Sequence, residues 1–374
     1  MNEKYTADGY FPEEIKRAFE ALEHGNAKIA AIRSAIEAAD ASDDTPFRIY
    51  FRLELCRESC FYGDCMDMMV IFPQVLAIAD RYPDTPATCY EPGYLDAMDH
   101  VLWVYKWILE ECCNFYQVPM ADCLKFFEDF RRRSLAYGYN LRPYYYYLYL
   151  FYEKIDPVKS REAFHMFEQI PRDDNCDCRA CERNTIIDFY LQQGQMERAK
   201  ELSAEIENFD LTCGHDKKEA WLRLKRHYMQ HYLGRREFEE AETYCHILER
   251  QRMKDTEFQR WDDFLYCYAY LNMGKALRIY KAHWKEWLEE RHPSTIFSVN
   301  RNITCFFKKL QQERKQATIK LSLDPAFPLY EESGQYSIAS LYRFYYKRAR
   351  EVAERFDERN GSHYYCNQLT EVLS

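Results

Sequence analysis

The sequence predicts an all-α fold, a right-handed α-solenoid of about eight or nine helical hairpins. Three observations carry this. Glycine is only 11 of 374 residues and proline 13; both punctuate turns, so their scarcity means few tight turns and long regular elements. Apolar residues recur at the 3.6-residue period almost throughout. Aromatic residues reach 17% of the chain, 32 of them tyrosine, a profile suited to aromatic-filled helix interfaces.

The elements follow in order. In FPEEIKRAFEALEHGNAKIAAIRSAIEAAD, Ile15, Ala18, Phe19 and Leu22 sit at i, i+3, i+4, i+7. Pro12 suits a first helical turn and Glu13 and Glu14 face the positive end of the helix dipole. Gly25 separates this helix from one running to about 39, making a hairpin of two helices. A helix over 45–61 meets Gly63 and another runs to 81. PDTPATCYEPG (83–93) is a loop. Helices are expected next over 94–116, 119–137, 143–154 and 157–169, then 181–193, 195–207, 217–233, 236–250, 257–272 and 274–290. Beyond Pro293 come 295–316 and 337–359, with LSLDPAFPLYEESGQ between them as a loop. No segment reads as a strand. Three segments result: N-terminal hairpins over 1–160, repeats with a cysteine cluster over 161–292, and capping helices over 293–374, in one continuous solenoid.

The middle is quasi-periodic. FYLQQGQMERAKELSAEI, HYLGRREFEEAETYCHIL and AYLNMGKALRIYKAHW align on an aromatic residue, Leu and Gly, with Gly194, Gly234 and Gly274 spaced 40 apart. Such a period means hairpins that bury their apolar stripes against neighbours. The pattern is similar to tetratricopeptide repeats in elongated copies. Gly194 followed by Ala199 matches the entry to a second helix, while Ala241, seven after Gly234, drifts in register. HVLWVYKWILE (100–110), FFEDFRRR…GYNLRPYY (126–145), PRDDNCDCRACE (171–182) and LTC (211–213) carry a wider likeness. On them the whole chain resembles a group of uncharacterised bacterial tetratricopeptide-like proteins containing Cys-x-x-Cys. The resemblance implies that Cys178, Cys181 and Cys213 belong together, with Cys176 a departure, and it implies no activity.

NCDCRACERN (175–184) places Cys176, Cys178 and Cys181 within six positions. If two near-equal helices run out to Gly194 and back, the return brings Cys213 beside Cys178 and Cys181. Three thiolates of this kind suit a tetrahedral zinc ion, with Cys176 or His215 as the fourth ligand. Four protein ligands would make a closed structural site without hydrolytic chemistry. Two other readings stand beside this one: small buried thiols, and a redox pair, which prefers a βαβ context absent here.

Other constellations are weaker. His227 and His231 share one helix face without the glutamate of a metalloprotease motif. RPYYYYLYLFYEK and SLYRFYYKRAR read as interhelix packing or as an aromatic floor for an extended peptide. No phosphate loop, nucleophile elbow or dinucleotide fingerprint occurs. Net charge is −10 with mixed signs, which does not fit a nucleic-acid partner. No apolar run reaches membrane-span length and no secretion signal opens the chain, so a cytoplasmic protein with reduced thiols is expected.

The expected function is a non-enzymatic scaffold binding a protein or peptide on its concave surface, with Asn184, Tyr228 and Tyr266 as groove residues and one structural zinc ion as cofactor. The alternatives are a peptide-signal sensor or regulator and a thiol redox protein using the cysteine cluster.

Overall fold

The computed structural model describes residues 12–88, 93–214, 216–251, 260–313 and 317–373. Among them the protein is all-helical, with 17 helices, 74% helix and almost no sheet. No described helix is long and apolar enough to cross a membrane. The chain forms two compact units, dividing at Cys176/Asp177.

The first unit holds the described residues up to Cys176, together with Glu358–Ser362. Its helices are α1 (Pro12–Glu20), α2 (Asn26–Ala41), α3 (Thr45–Tyr62), α4 (Cys65–Arg81), α5 (Ala97–Glu111), α6 (Met120–Tyr137), α7 (Arg142–Tyr152) and α8 (Pro157–Gln169). Each packs on the next, and α5 also packs on α3 and α7. At the α3–α4 turn, a Cβ at position 63 would crowd Ser59 Cα at 3.2 Å and push Ile29 Cδ1 aside, so glycine leaves room for this close packing. Tyr105 is fully buried between Phe72 and Phe130. Of the six tyrosines in α7, Tyr146, Tyr147 and Tyr149 are core and the rest half-buried, because a single helix turns such a run through every face.

Arg133 ties three helices of this unit. Its guanidinium reaches Asp80 at 2.5 and 2.7 Å and Asp129 at 2.6 Å, and Asp129 also accepts from Tyr105 Oη. The Arg133 hydrogen bonds hold the Asp80 carboxyl below its usual range. Burial pushes Asp129 up, but the arginines outweigh it and the net shift is down. Carboxylates with depressed native pKa stabilise the fold above their unfolded value of 3.8, and that stabilisation is lost as pH falls through the native values. Arg133→Met is expected to cost about 1–3 kcal/mol at neutral pH, discounted because Asp80 is largely exposed. The deficit should shrink below pH 3.8, which urea melts at pH 7 and pH 3 will check.

The second unit comprises the described residues of Asp177–Asp357 and His363–Ser374. It contains α9 (Arg179–Gln192), α10 (Met196–Glu207), α11 (Glu219–Gly234), α12 (Phe238–Arg250), α13 (Trp261–Leu271), α14 (Met273–Glu289), α15 (Pro293–Glu313), most of α16 (Ile338–Asn360) and α17 (Tyr364–Leu373). Helices α9–α14 form three successive hairpins, and the first helices also touch in series: α9 on α11, α11 on α13, α13 on α15.

The expected 40-residue glycine register does not hold. Gly194 occupies the left-handed turn position with φ +71°, but Gly234 ends α11 and Gly274 lies inside α14. The residue equivalent to Gly194 is Arg236, at φ +60°. The backbone bonds agree: Gly194 N–H to Leu191 O and Gln195 N–H to Tyr190 O, then Arg236 N–H to Leu233 O and Glu237 N–H to Tyr232 O. What repeats is therefore Tyr-Leu before the turn and a fully buried alanine after it, at Ala199, Ala241 and Ala276. The third turn shrinks to Asn272, whose side chain caps α14 by accepting from Lys275 N–H at 3.0 Å.

Two further elements depart from expectation. Strands β1 (Thr318–Lys320) and β2 (Gln335–Ser337) pair antiparallel with Ile319 opposite Tyr336, both buried. The loop between them inserts Leu321, Leu323 and Phe327 into the unit's core. Helix α17 was not foreseen. Asp357 receives the Tyr365 and Cys366 N–H groups at 3.0 and 2.9 Å, and Tyr365 stacks on Phe356.

Candidate metal centre

The segment leading to the cysteine cluster is held by residues from separate stretches of the first unit. Lys106, 1% exposed, donates from Nζ to Asn175 O at 2.9 Å and lies 3.3 Å over the Trp103 ring. Asn140 donates to Asp173 Oδ2 at 2.7 Å and to Pro171 O at 2.9 Å. Arg142 reaches the Phe167 and Ile170 carbonyls. Residues from 100–110 and 126–145 thus meet the stretch 171–175 within the first unit. Cys176 belongs to this unit, and its sulfur exchanges hydrogen bonds with Asp173, accepting at 3.3 Å and donating at 3.4 Å.

In the second unit, Cys178 is the N-cap of α9 and its sulfur accepts from Cys181 N–H at 3.3 Å. Cys181 lies in the first turn. Helix α10 returns, and Phe209 takes the left-handed conformation at φ +59° while Leu211 N–H bonds back to Glu205 O. The Phe209 ring stacks on Trp221, and Glu207 accepts from Trp221 Nε1 and from Lys225. These contacts fix the path that delivers Cys213 to the start of α9. Asn184 spaces the two first helices by donating to Ala180 O at 3.2 Å and Ala220 O at 3.0 Å.

The outcome is a group of three sulfurs, Cys178, Cys181 and Cys213, all within 4.8 Å of one another, with Cys178 and Cys213 at 3.9 Å. A metal–sulfur bond of about 2.3 Å gives a tetrahedral S···S edge of about 3.8 Å, so the spacing fits one ion. None of the described cysteines, these three included, is in a disulfide. The thiol of Cys181, hydrogen-bonded to Cys178, pulls the Cys178 pKa down to about 5 against the opposing effect of burial, and the α9 N–H groups add to the fall. Cys181 is pushed up as the donor in that pair and by burial. The lowered Cys178 pKa favours its thiolate, and metal binding would displace the remaining protons. These three residues can hold a metal; His215 lies outside the described residues, and among the described residues no fourth ligand atom joins the three.

The groove residues expected from sequence are interior. Asn184 is fully buried in the contact just described. Tyr228 is 4% exposed, bonded to Ser203 and stacked on Tyr244. Tyr266 is 2% exposed between Phe238 and Tyr270. First-helix residues face the hairpin interior as often as the open side, and helical position alone does not separate the two.

Sequence reasoning missed a set of polar bridges that runs along the first helices instead. His227 of α11 pairs with Asp188 of α9 at 3.1 Å, and Gln192 donates to the same carboxylate at 2.8 Å. Gln230 of α11 faces Asp263 of α13 at 3.5 Å. Asn302 of α15 donates to Asp262 at 3.0 Å and Asp263 at 3.2 Å. Arg301 of α15 reaches Gln368 of α17 at 2.8 Å. Burial raises and His227 lowers the Asp188 pKa, with a net fall, so this carboxylate stays charged. No repeat signal marks them: aligned on Tyr190, Tyr232 and Tyr270, Asp188 and Gln230 match in place but His227 and Asp263 do not.

No protein-family model matches the chain, and no curated protein matches it.

Proposed function

We propose that this protein is a non-enzymatic scaffold whose second unit is a run of tetratricopeptide-like repeats in a right-handed solenoid, binding an extended peptide or protein segment along its first helices. The observation that carries this reading is the polar ladder. Stacked hairpins present their first helices side by side, and here each neighbouring pair from α9 to α17 is bridged by polar side chains. Asp188, His227, Gln230, Arg301 and Gln368 are half-buried or exposed, so their remaining donors and acceptors are available to a peptide backbone. Held by one another, they lose little freedom on binding. The three sulfurs support this scaffold as a structural zinc centre that ties the entry of α9 to the entry of α11.

A phage-displayed random-peptide library selected on the purified protein tests this. The double variant His227→Ala/Gln230→Ala is expected to weaken enriched peptides by about tenfold, or 1.4 kcal/mol. Lys200→Ala, on the second helix α10, should leave affinity unchanged. Failure to enrich any peptide, or equal affinity of the ladder variant, contradicts the reading.

A further inference from the structure

We infer that Cys178 and Cys213 form a hydroperoxide-sensitive dithiol site, in which oxidation joins the two facing sulfurs as a disulfide and expels the ion. The expulsion rests on the zinc reading above; the disulfide does not.

Three features carry this. The two sulfurs face each other in a hydrogen bond of 3.9 Å and are not joined as a disulfide. A disulfide needs about 2.05 Å, so about 1.9 Å must be closed. Cys213 can close it, because it sits on a non-helical stretch between α10 and α11, whereas Cys181 is fixed in the first turn of α9. Cys178 is half-buried and so within reach of a small oxidant, while Cys213 is 3% exposed. The Cys181 N–H aimed at the Cys178 sulfur steadies negative charge there.

The chemistry balances with a hydroperoxide as oxidant. The Cys178 thiolate attacks one peroxide oxygen, the O–O bond breaks, and hydroxide or alkoxide leaves, giving a sulfenic acid. The Cys213 thiolate then attacks the Cys178 sulfur, the S–O bond breaks, and the oxygen departs as hydroxide, which is protonated to water. Two thiols and one hydrogen peroxide become one disulfide and two waters, the two electrons passing from sulfur to peroxide. Oxidised sulfurs no longer ligate, so the ion leaves. The new bond spans the same 35-residue separation as the ion did, so one cross-link replaces the other.

The test adds hydrogen peroxide stepwise to the purified full chain, with a chromogenic zinc chelator present, and maps disulfides under non-reducing conditions. The expected result is a Cys178–Cys213 linkage with one zinc released per disulfide, and unmodified Cys245 and Cys267, both fully buried. In Cys213→Ser, oxidation should halt at a sulfenic acid on Cys178 that dimedone captures. A Cys178–Cys181 linkage overturns the inference. So does scattered oxidation across the cysteines, or an unreacted pair at peroxide levels that oxidise free cysteine. A metal-free chain that still forms the Cys178–Cys213 bond sinks the zinc reading and upholds this one. A zinc-loaded chain that peroxide leaves unlinked does the reverse.

Discussion

Cys181→Ser is expected to strip the metal from the protein and to loosen both ends of the α9–α10 hairpin while the first unit keeps its stability. The sulfurs come from the start of α9 and from the stretch before α11, so an ion held by them would close the hairpin at its open end. Elsewhere that end is held by the Asn184 amide, the Phe209–Trp221 stack and the Glu207 contacts. Zinc bound by thiolates in small domains contributes on the order of 10–16 kcal/mol, which is folding energy because the unfolded chain has no assembled site. Part of the hairpin is held without metal here, so a loss of several kcal/mol is expected rather than complete unfolding. Hydrogen exchange resolves it: amides of α9, α10 and the start of α11 should exchange faster in the variant, and those of α3–α5 should not. Chelator treatment of the wild type should give the same pattern. Serine keeps the size and removes the soft ligand, so a packing defect is not the cause.

The second large effect is expected at Asn302, which is fully buried. Its amide donates to Asp262 and Asp263, two neighbouring carboxyls that are 2% and 6% exposed. Burial raises Asp262, but Arg260, paired with it at 2.9 and 3.1 Å, brings the net shift down; burial and the Asp262 charge push Asp263 up. Of the two, Asp263 is therefore the readier to hold a proton and Asp262 the readier to stay charged. Asn302→Leu removes the common donor of two buried carboxyls, at a cost of about 1–3 kcal/mol, toward the upper end because the acceptors are carboxyls. The sign with pH follows from Asp263. A carboxyl with a raised native pKa stabilises most when protonated, below its unfolded value of 3.8, and loses that as pH rises through the native value. Asp262 opposes it at the acid end, because its native pKa is depressed. The variant should therefore show its largest deficit near neutrality, measurable by thermal melts. An unchanged melting temperature at pH 7 would remove Asn302 from the ladder.

Helix placement was legible in sequence because each helix has its own apolar period and breaker. The expected 45–61, 119–137, 157–169 and 195–207 differ by a residue or so from α3, α6, α8 and α10. The meeting of Cys213 with Cys178 and Cys181 was legible for a related reason: two helices of near-equal length must return to their origin. Strands β1 and β2 were hidden because three residues with one buried member each carry no alternation to detect. Helix α17 was hidden because its N-terminal N–H groups bond to Asp357 from the preceding helix, so the capping signal is not local. The glycine period misled because a left-handed turn can be held by Arg236 when its hydrogen bonds are good enough. Asn184 misled because polarity was read as exposure, although a buried amide that bonds two carbonyls is a normal way to space helices.

Elemental analysis of the freshly purified full chain beside Cys181→Ser tests the three-sulfur site most directly. About one zinc per wild-type chain is expected, with sulfur neighbours at about 2.3 Å by X-ray absorption, and none in the variant. A metal-free wild type whose melting temperature matches that of Cys181→Ser would contradict it, leaving Cys178, Cys181 and Cys213 as partly buried thiols.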